Sequence, residues 1–141
     1  MIAQLLVAAV LAGLAVAVAL VLRRRQRPDG PTQGPSWTAP SQLDRTDFGR
    51  PEAEWLVAVF SSATCTSCAA MVDKAQVLAS AAVVVEEVEA AARPDLHRRY
   101  GIEAVPIIVV ADRAGVVQAS FIGLASATDL WVAVAAVRGE A

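Results

Sequence analysis

The chemistry available to this chain is concentrated in its only two cysteines, Cys65 and Cys68, within the stretch "SSATCTSCAA". Thiols at that spacing can interchange between dithiol and disulfide, staple a short loop, or supply half of a metal site. The staple is a weak reason to keep them. In the chain-entropy model so short a loop gives on the order of 2 kcal/mol at best, and strain reduces it. A structural zinc ion commonly takes four Cys and His ligands. The only histidine, His97, is distant in sequence and reads as part of an exposed helix surface. A copper-carrying pair is open in principle, with nothing specific in its favour. Redox exchange is the leading reading, and no metal is assigned.

The surrounding pattern places the pair. "WLVAVF" (55–60) is a continuous apolar run with β-branched residues, as in a strand buried on both faces. Met71, Val72, Ala75 and Leu78 recur at spacings of three and four, which predicts a helix from Thr66 to Ser80. Cys65 then stands where a strand ends and a helix begins. Unpaired N–H groups and the positive end of the helix dipole favour its thiolate there. Cys68 shares the same helix face, with Cβ atoms about 5–6 Å apart. That is close enough for a disulfide after small adjustment. The position suits an outer, reactive Cys65 and a resolving Cys68.

Strands and helices alternate around this pair. "LDRTDF" (43–48) reads as a short first strand and "VVVEEV" (83–88) as the third. "PDLHRRY" (94–100) opens on a proline suited to the first helical turn and stops at Gly101. Strands are predicted over 105–112 and 115–123, joined by "ADRAG" as a hairpin turn. A last helix is predicted over 126–137, capped by Ser126 with Asp129 three residues on and with Trp131, Val134 and Val137 on its inner face. The order β-β-α-β-α-β-β-α predicts an α/β fold with a mixed central sheet covered on both faces.

Ahead of this domain, assigned to 43–141, the composition changes twice. Ile2 to Leu22 is apolar apart from Gln4. As a helix it would span roughly 31 Å, enough to cross a bilayer core. No charged side chain precedes it and no small-residue cleavage site follows, which favours an uncleaved anchor over 1–22 rather than a signal peptide. Arg23, Arg24, Arg25 and Arg27 follow directly, which predicts a domain on the cytoplasmic side of a cell membrane; the extracytoplasmic orientation is the alternative. Residues 23–42 form a basic, Pro/Gly-rich linker whose proline-rich part reaches roughly 20 Å. Residues 51–141 hold eleven acids and six bases, and an acidic domain with few aromatics has no basic footprint for nucleic acid.

From Leu43 onward the chain resembles the thioredoxin-like superfamily. The resemblance rests on "WLVAVFSSATCTSC", on "RRYGIEAVPIIVVAD" and on "FIG", in that order. It implies a three-layer α/β/α domain with Cys65 and Cys68 as the catalytic pair. It also implies a cis Val105–Pro106 bond, with Pro106 shaping the groove and blocking metal capture and Val105 pairing with an extended substrate segment. Thr66 and Ser67 stand where typical thioredoxins have Gly-Pro, and Thr64 stands for their tryptophan. Val59 aligns with the family's buried aspartate and Glu87 with its accompanying lysine. Cys68 would therefore need another base, and Glu87 is the candidate, against the plainer reading of a solvated strand end. The family's first helix is shortened to "GRPEAE".

The expected function is that of a membrane-tethered thiol–disulfide oxidoreductase. Its partners would be a disulfide-containing protein substrate and an upstream thiol reductant, with no bound cofactor implied. The alternative is a non-catalytic thioredoxin-fold binding module at the membrane.

Overall fold

The computed structural model describes residues 37–139. The anchor predicted over 1–22 and most of the linker predicted over 23–42 lie outside the described residues. Among the described residues, no helix is long and apolar enough to cross a membrane. The chain runs through a 3-10 turn (Arg45–Asp47), β1 (Trp55–Ser61), α1 (Cys68–Gln76), β2 (Val83–Glu89), α2 (Pro94–Arg99), β3 (Ile107–Ala111), β4 (Val117–Ile122) and α3 (Ala127–Gly139).

The strands lie in the order β2-β1-β3-β4. β1 and β2 are parallel, with Trp55 opposite Val83 and Ser61 opposite Glu89. β3 is antiparallel to both β1 and β4. The mixed sheet follows from the hydrophobic pattern. β1 and β3, the continuous apolar runs, are buried at every position because they occupy the centre. β4 alternates between partly buried and exposed residues, as an edge strand does.

Period-two alternation divides β1 between two cores. Leu56, Ala58 and Phe60 pack with Phe48 and Leu96. Trp55, Val57 and Val59 pack with Met71, Ala75, Leu130 and Val134. α1 and α3 therefore cover one face of the sheet, while α2 and the segment around the 3-10 turn cover the other. Each large apolar side chain buried this way contributes about 1.5–3 kcal/mol, so the two cores hold the layers together.

Three expectations need correction. Residues 43–48 are not a strand. Asp44 accepts the Thr46 N–H at 3.0 Å and the Thr46 hydroxyl at 2.6 Å, and these local bonds curl the backbone into a 3-10 turn. "GRPEAE" carries no helix; it is a turn in which Ala53 N donates to Arg50 O at 2.9 Å. α1 is shorter at both ends than predicted. Ser80 N donates to Val83 O at 3.0 Å and Val83 N to Ser80 Oγ at 3.2 Å, a reciprocal turn that leads the chain into β2.

The segment before β1 is tied to the β3–β4 hairpin. Leu43 N donates to Gly115 O at 2.8 Å, and Val117 N donates to Ser41 O at 3.0 Å. Pairing thus begins with the last residues of the predicted linker. Arg45, only 6% exposed, donates to Ala53 O and Asp112 O at 3.1 and 2.8 Å. The hairpin turn is "ADRAG" as expected, closed by Gly115 N donating to Asp112 O at 3.0 Å.

Candidate functional site

β1 carries the chain to one end of the sheet, where the backbone turns into α1. Cys65 N donates to Ser62 O at 3.0 Å, Cys68 N to Cys65 O at 3.2 Å, and Met71 N to Ser67 O at 3.3 Å as the helix begins. Cys65 therefore sits in the turn ahead of α1, and Cys68 is the helix's first residue. The two sulfurs form a disulfide, with Cα atoms 5.4 Å apart.

Their exposure is unequal. Cys65 is partly exposed, whereas Cys68 is only 2% exposed. A partner approaching from solvent meets Cys65. Thr66 is exposed and Ser67 half-buried. Ser67 stands at the cap position of α1 without making a side-chain capping bond; its hydroxyl lies 3.5 Å from Cys65 Sγ. An O–H so placed can donate to a thiolate, and such charge-assisted bonds lower a thiol pKa.

The turn is held from below by a residue the sequence reading did not single out. Glu89, the last residue of β2, accepts the Ala63 N–H at 3.0 Å through Oε1. Its Oε2 accepts the N–H groups of Ala91 and Ala92 at 2.9 and 2.8 Å. The bonds from Ala92 and Ala63 are the main reason its carboxyl stays below the ordinary carboxylate range. One carboxylate so fixes the turn before the cysteines and the turn before α2.

Val105 and Pro106 precede β3, and the bond between them is cis. Pro106 is buried, Val105 half-buried, and Pro106 O accepts the Gly123 N–H at 2.8 Å. Because Phe60 pairs with Ile107, the start of β3 and the end of β1 share one end of the sheet. The fold thus gathers Cys65, Thr66, Ser67, Cys68, Val105 and Pro106 at that end.

Val59 is fully buried among Val57, Met71, Ile108 and Leu130. Glu87 stands opposite it in the β1–β2 register and is exposed on the edge strand. Its Oε1 accepts the hydroxyl of Ser61, a fully buried residue, at 2.5 Å. Ser61 is the second residue that sequence reasoning missed. Its only signal was a hydroxyl closing an otherwise apolar strand.

His97 is not on an exposed helix surface. It is half-buried, its ring meets Phe60 edge-on at 5.5 Å, and its Nε2–H donates to Val88 O at 2.8 Å. Among the described residues, no group of three or more His, Cys, Asp or Glu side chains converges in a way that would hold a metal ion. A shallow cleft of about 600 Å³ lies at Asp44, Arg45, Arg99, Tyr100 and Arg113 and contains neither cysteine. Arg99 spends its guanidinium there on Asp44 and Asp47, at 3.1 and 3.0 Å.

No protein-family model and no curated protein matches the sequence. Solved structures do. A mutant thioredoxin from Halobacterium salinarum superposes with a TM-score of 0.53 at 18% identity, over 67% of this chain and 89% of that one. The chain has a thioredoxin-like fold. A structure described as a malarial protein is also similar, with a TM-score of 0.51 at 19% identity, over 57% of this chain and 93% of that one. Within the thioredoxin-like fold, Cys68 opens α1 with Cys65 in the turn ahead of it, and Val59 packs with Met71 as an aliphatic side chain.

Proposed function

We propose that this chain is a thiol–disulfide oxidoreductase that reduces protein disulfides while tethered to a membrane by residues 1–22. The observation that carries the reading is the Cys65–Cys68 disulfide at the start of α1, with one sulfur reachable and the other buried. In the reduced protein the Cys65 thiolate attacks a substrate disulfide, forming a mixed disulfide and releasing one substrate thiolate. Cys68 then attacks Cys65 Sγ, which closes the intramolecular disulfide and expels the second substrate thiolate. Two electrons pass from the cysteine pair to the substrate, and an upstream thiol reductant restores them. Thr66 and Ser67 border the reacting sulfur, and a substrate segment lies extended along Val105 and Pro106 in the manner of an added strand.

The tether is supported by the apolar run from Ile2 to Leu22 and by the four arginines that follow it. Those arginines favour a cytoplasmic domain, where ambient thiols keep the pair in use as a reductant. Insulin reduction by the full-length chain, with a recycling reductant and Cys65→Ser as control, tests the activity. Turnover by the wild type alone supports the reading. Equal rates would leave the binding-module alternative, which retains partner capture without Cys65.

A further inference from the structure

A helix that covers a sheet normally turns a polar side to water. α3 does not. From Leu130 to Val137 it is apolar without interruption. Leu130 and Val134 face the core. Trp131 and Val132 are 43% and 61% exposed, and Ala135 and Ala136 are exposed as well. At 3.6 residues per turn these four cover about 140° of the helix surface. The charged groups of α3 stand at its ends. Asp129 accepts the Ser126 hydroxyl at 2.7 Å in the cap, and Arg138 lies in the last turn.

The apolar surface continues onto α1. Trp131 Nε1 donates to Lys74 O at 3.3 Å, which brings the indole against the last turn of α1. Val77, the residue after Gln76, is 68% exposed. An exposed apolar surface of this kind marks a contact with a partner or a membrane.

The attachment of the domain decides between them. Val117 N donates to Ser41 O and Gln42 bridges to Val116, so the linker joins the domain at β4. Ala119 and Phe121 of β4 pack against the core that holds Leu130 and Val134, which places α3 over that strand. Residues 23–36 separate the predicted anchor from the described chain. A segment of that length and Pro/Gly content has a mean reach of roughly 20 Å. A domain of about 100 residues has a radius of gyration of about 13 Å, so its width exceeds that reach. On the tethered reading, β4 and α3 stay near the bilayer, and β2, at the other edge of the sheet, stays away from it.

We propose that the outer face of α3, with Val77, is the surface by which the domain lies on the lipid bilayer, an inference that rests on the membrane-tethered reading above. The indole of Trp131 suits the boundary between headgroups and acyl chains, and Arg138 can reach up to lipid phosphates. The face is small, and the tether makes it sufficient by holding the local lipid concentration high. Lys74 and Val77 belong to the end of α1 remote from Cys68. Docking therefore leaves Cys65 open to a substrate.

Tryptophan quenching in the full-length chain tests the contact. The chain is placed at one copy per nanodisc, in phosphatidylcholine with ordinary or brominated acyl chains. Brominated lipid should remove roughly a third of the emission, since Trp131 is one of three tryptophans. Trp131→Phe abolishes that loss and Trp37→Phe retains it. Ala135→Asp, at an exposed position, abolishes it without moving the urea midpoint. Equal quenching of wild type and Trp131→Phe, or quenching that survives Ala135→Asp, overturns the docking. So does shielding of Trp131 that requires two copies per disc, which would make a second copy of the chain the occupant. A chain that enters the disc with Trp131 unquenched overturns the docking alone. A chain that does not enter the disc overturns the tether itself, and the docking with it.

Discussion

Glu89 Oε1 accepts the Ala63 N–H at 3.0 Å, two residues before Cys65. The same carboxylate also holds Ala91 and Ala92. The placement of the reactive turn therefore depends on an ionised side chain at the end of β2, and that dependence has a pH signature.

Backbone donors, Ala92 and Ala63 first, hold the Glu89 carboxyl below its ordinary range in the folded protein. A depressed folded pKa means that the stabilisation is present at neutral pH and lost as pH falls through the folded value. Glu89→Gln should lower stability at neutral pH and flatten the acid limb of the stability curve. Urea melts between about pH 6 and about pH 3 check this. A variant that loses stability on acidification as steeply as wild type would show that the carboxylate does not hold the turn.

The opposite sign is expected at Tyr100. Its hydroxyl donates to the Asp47 carboxylate and accepts the Asp44 N–H at 3.0 Å. Burial first, then the bond to Asp47, pushes its pKa up to about 12. A raised folded pKa gives stabilisation that is complete below the unfolded value of about 10 and lost as pH rises through the folded one. Tyr100→Phe should cost about 1 kcal/mol at neutral pH and remove part of the alkaline loss, as measured by melts on both sides of that range.

Two glycines with positive φ should respond unequally to alanine. At Gly115, with φ of 82°, a Cβ would stand 1.9 Å from Leu43 O, the residue whose N–H bonds to Gly115 O. At Gly101, with φ of 62°, a Cβ meets nothing within 4 Å. Gly101→Ala should cost about 1 kcal/mol, the left-handed backbone penalty alone. Gly115→Ala should cost clearly more, about 3 kcal/mol, because the tie between the Leu43 segment and the hairpin must also shift. Comparison of the two denaturation midpoints checks the difference.

Much of the fold was legible because burial and pattern agree at the centre of the sheet. Continuous apolar runs near 55–60 and 107–111 became β1 and β3, and the turn at Asp112–Gly115 needed only its residue types. Residues 43–48 misled because a short segment with apolar Leu43 and Phe48 at its ends reads as a strand, whereas both side chains are buried from a turn. Arg45 is inside only because distant carbonyls, Ala53 O and Asp112 O, accept its N–H groups. The cysteine pair was readable from spacing. Ser61 with Glu87, and Ala63 with Glu89, were not, since each pair depends on the β1–β2 register rather than on any local pattern. His97 was misplaced for the same reason: its neighbours Arg98 and Arg99 are exposed, but its own ring is claimed by Phe60 and Val88.

The most direct test traps the covalent intermediate. Reduced full-length Cys68→Ser, mixed with a disulfide-bonded peptide, should retain one peptide per chain through a reducible bond at Cys65, identified by mass spectrometry after digestion. Cys65→Ser should retain far less, because Cys68 is buried. Equal capture by the two variants, or none by Cys68→Ser, would contradict the assignment of Cys65 as the attacking sulfur.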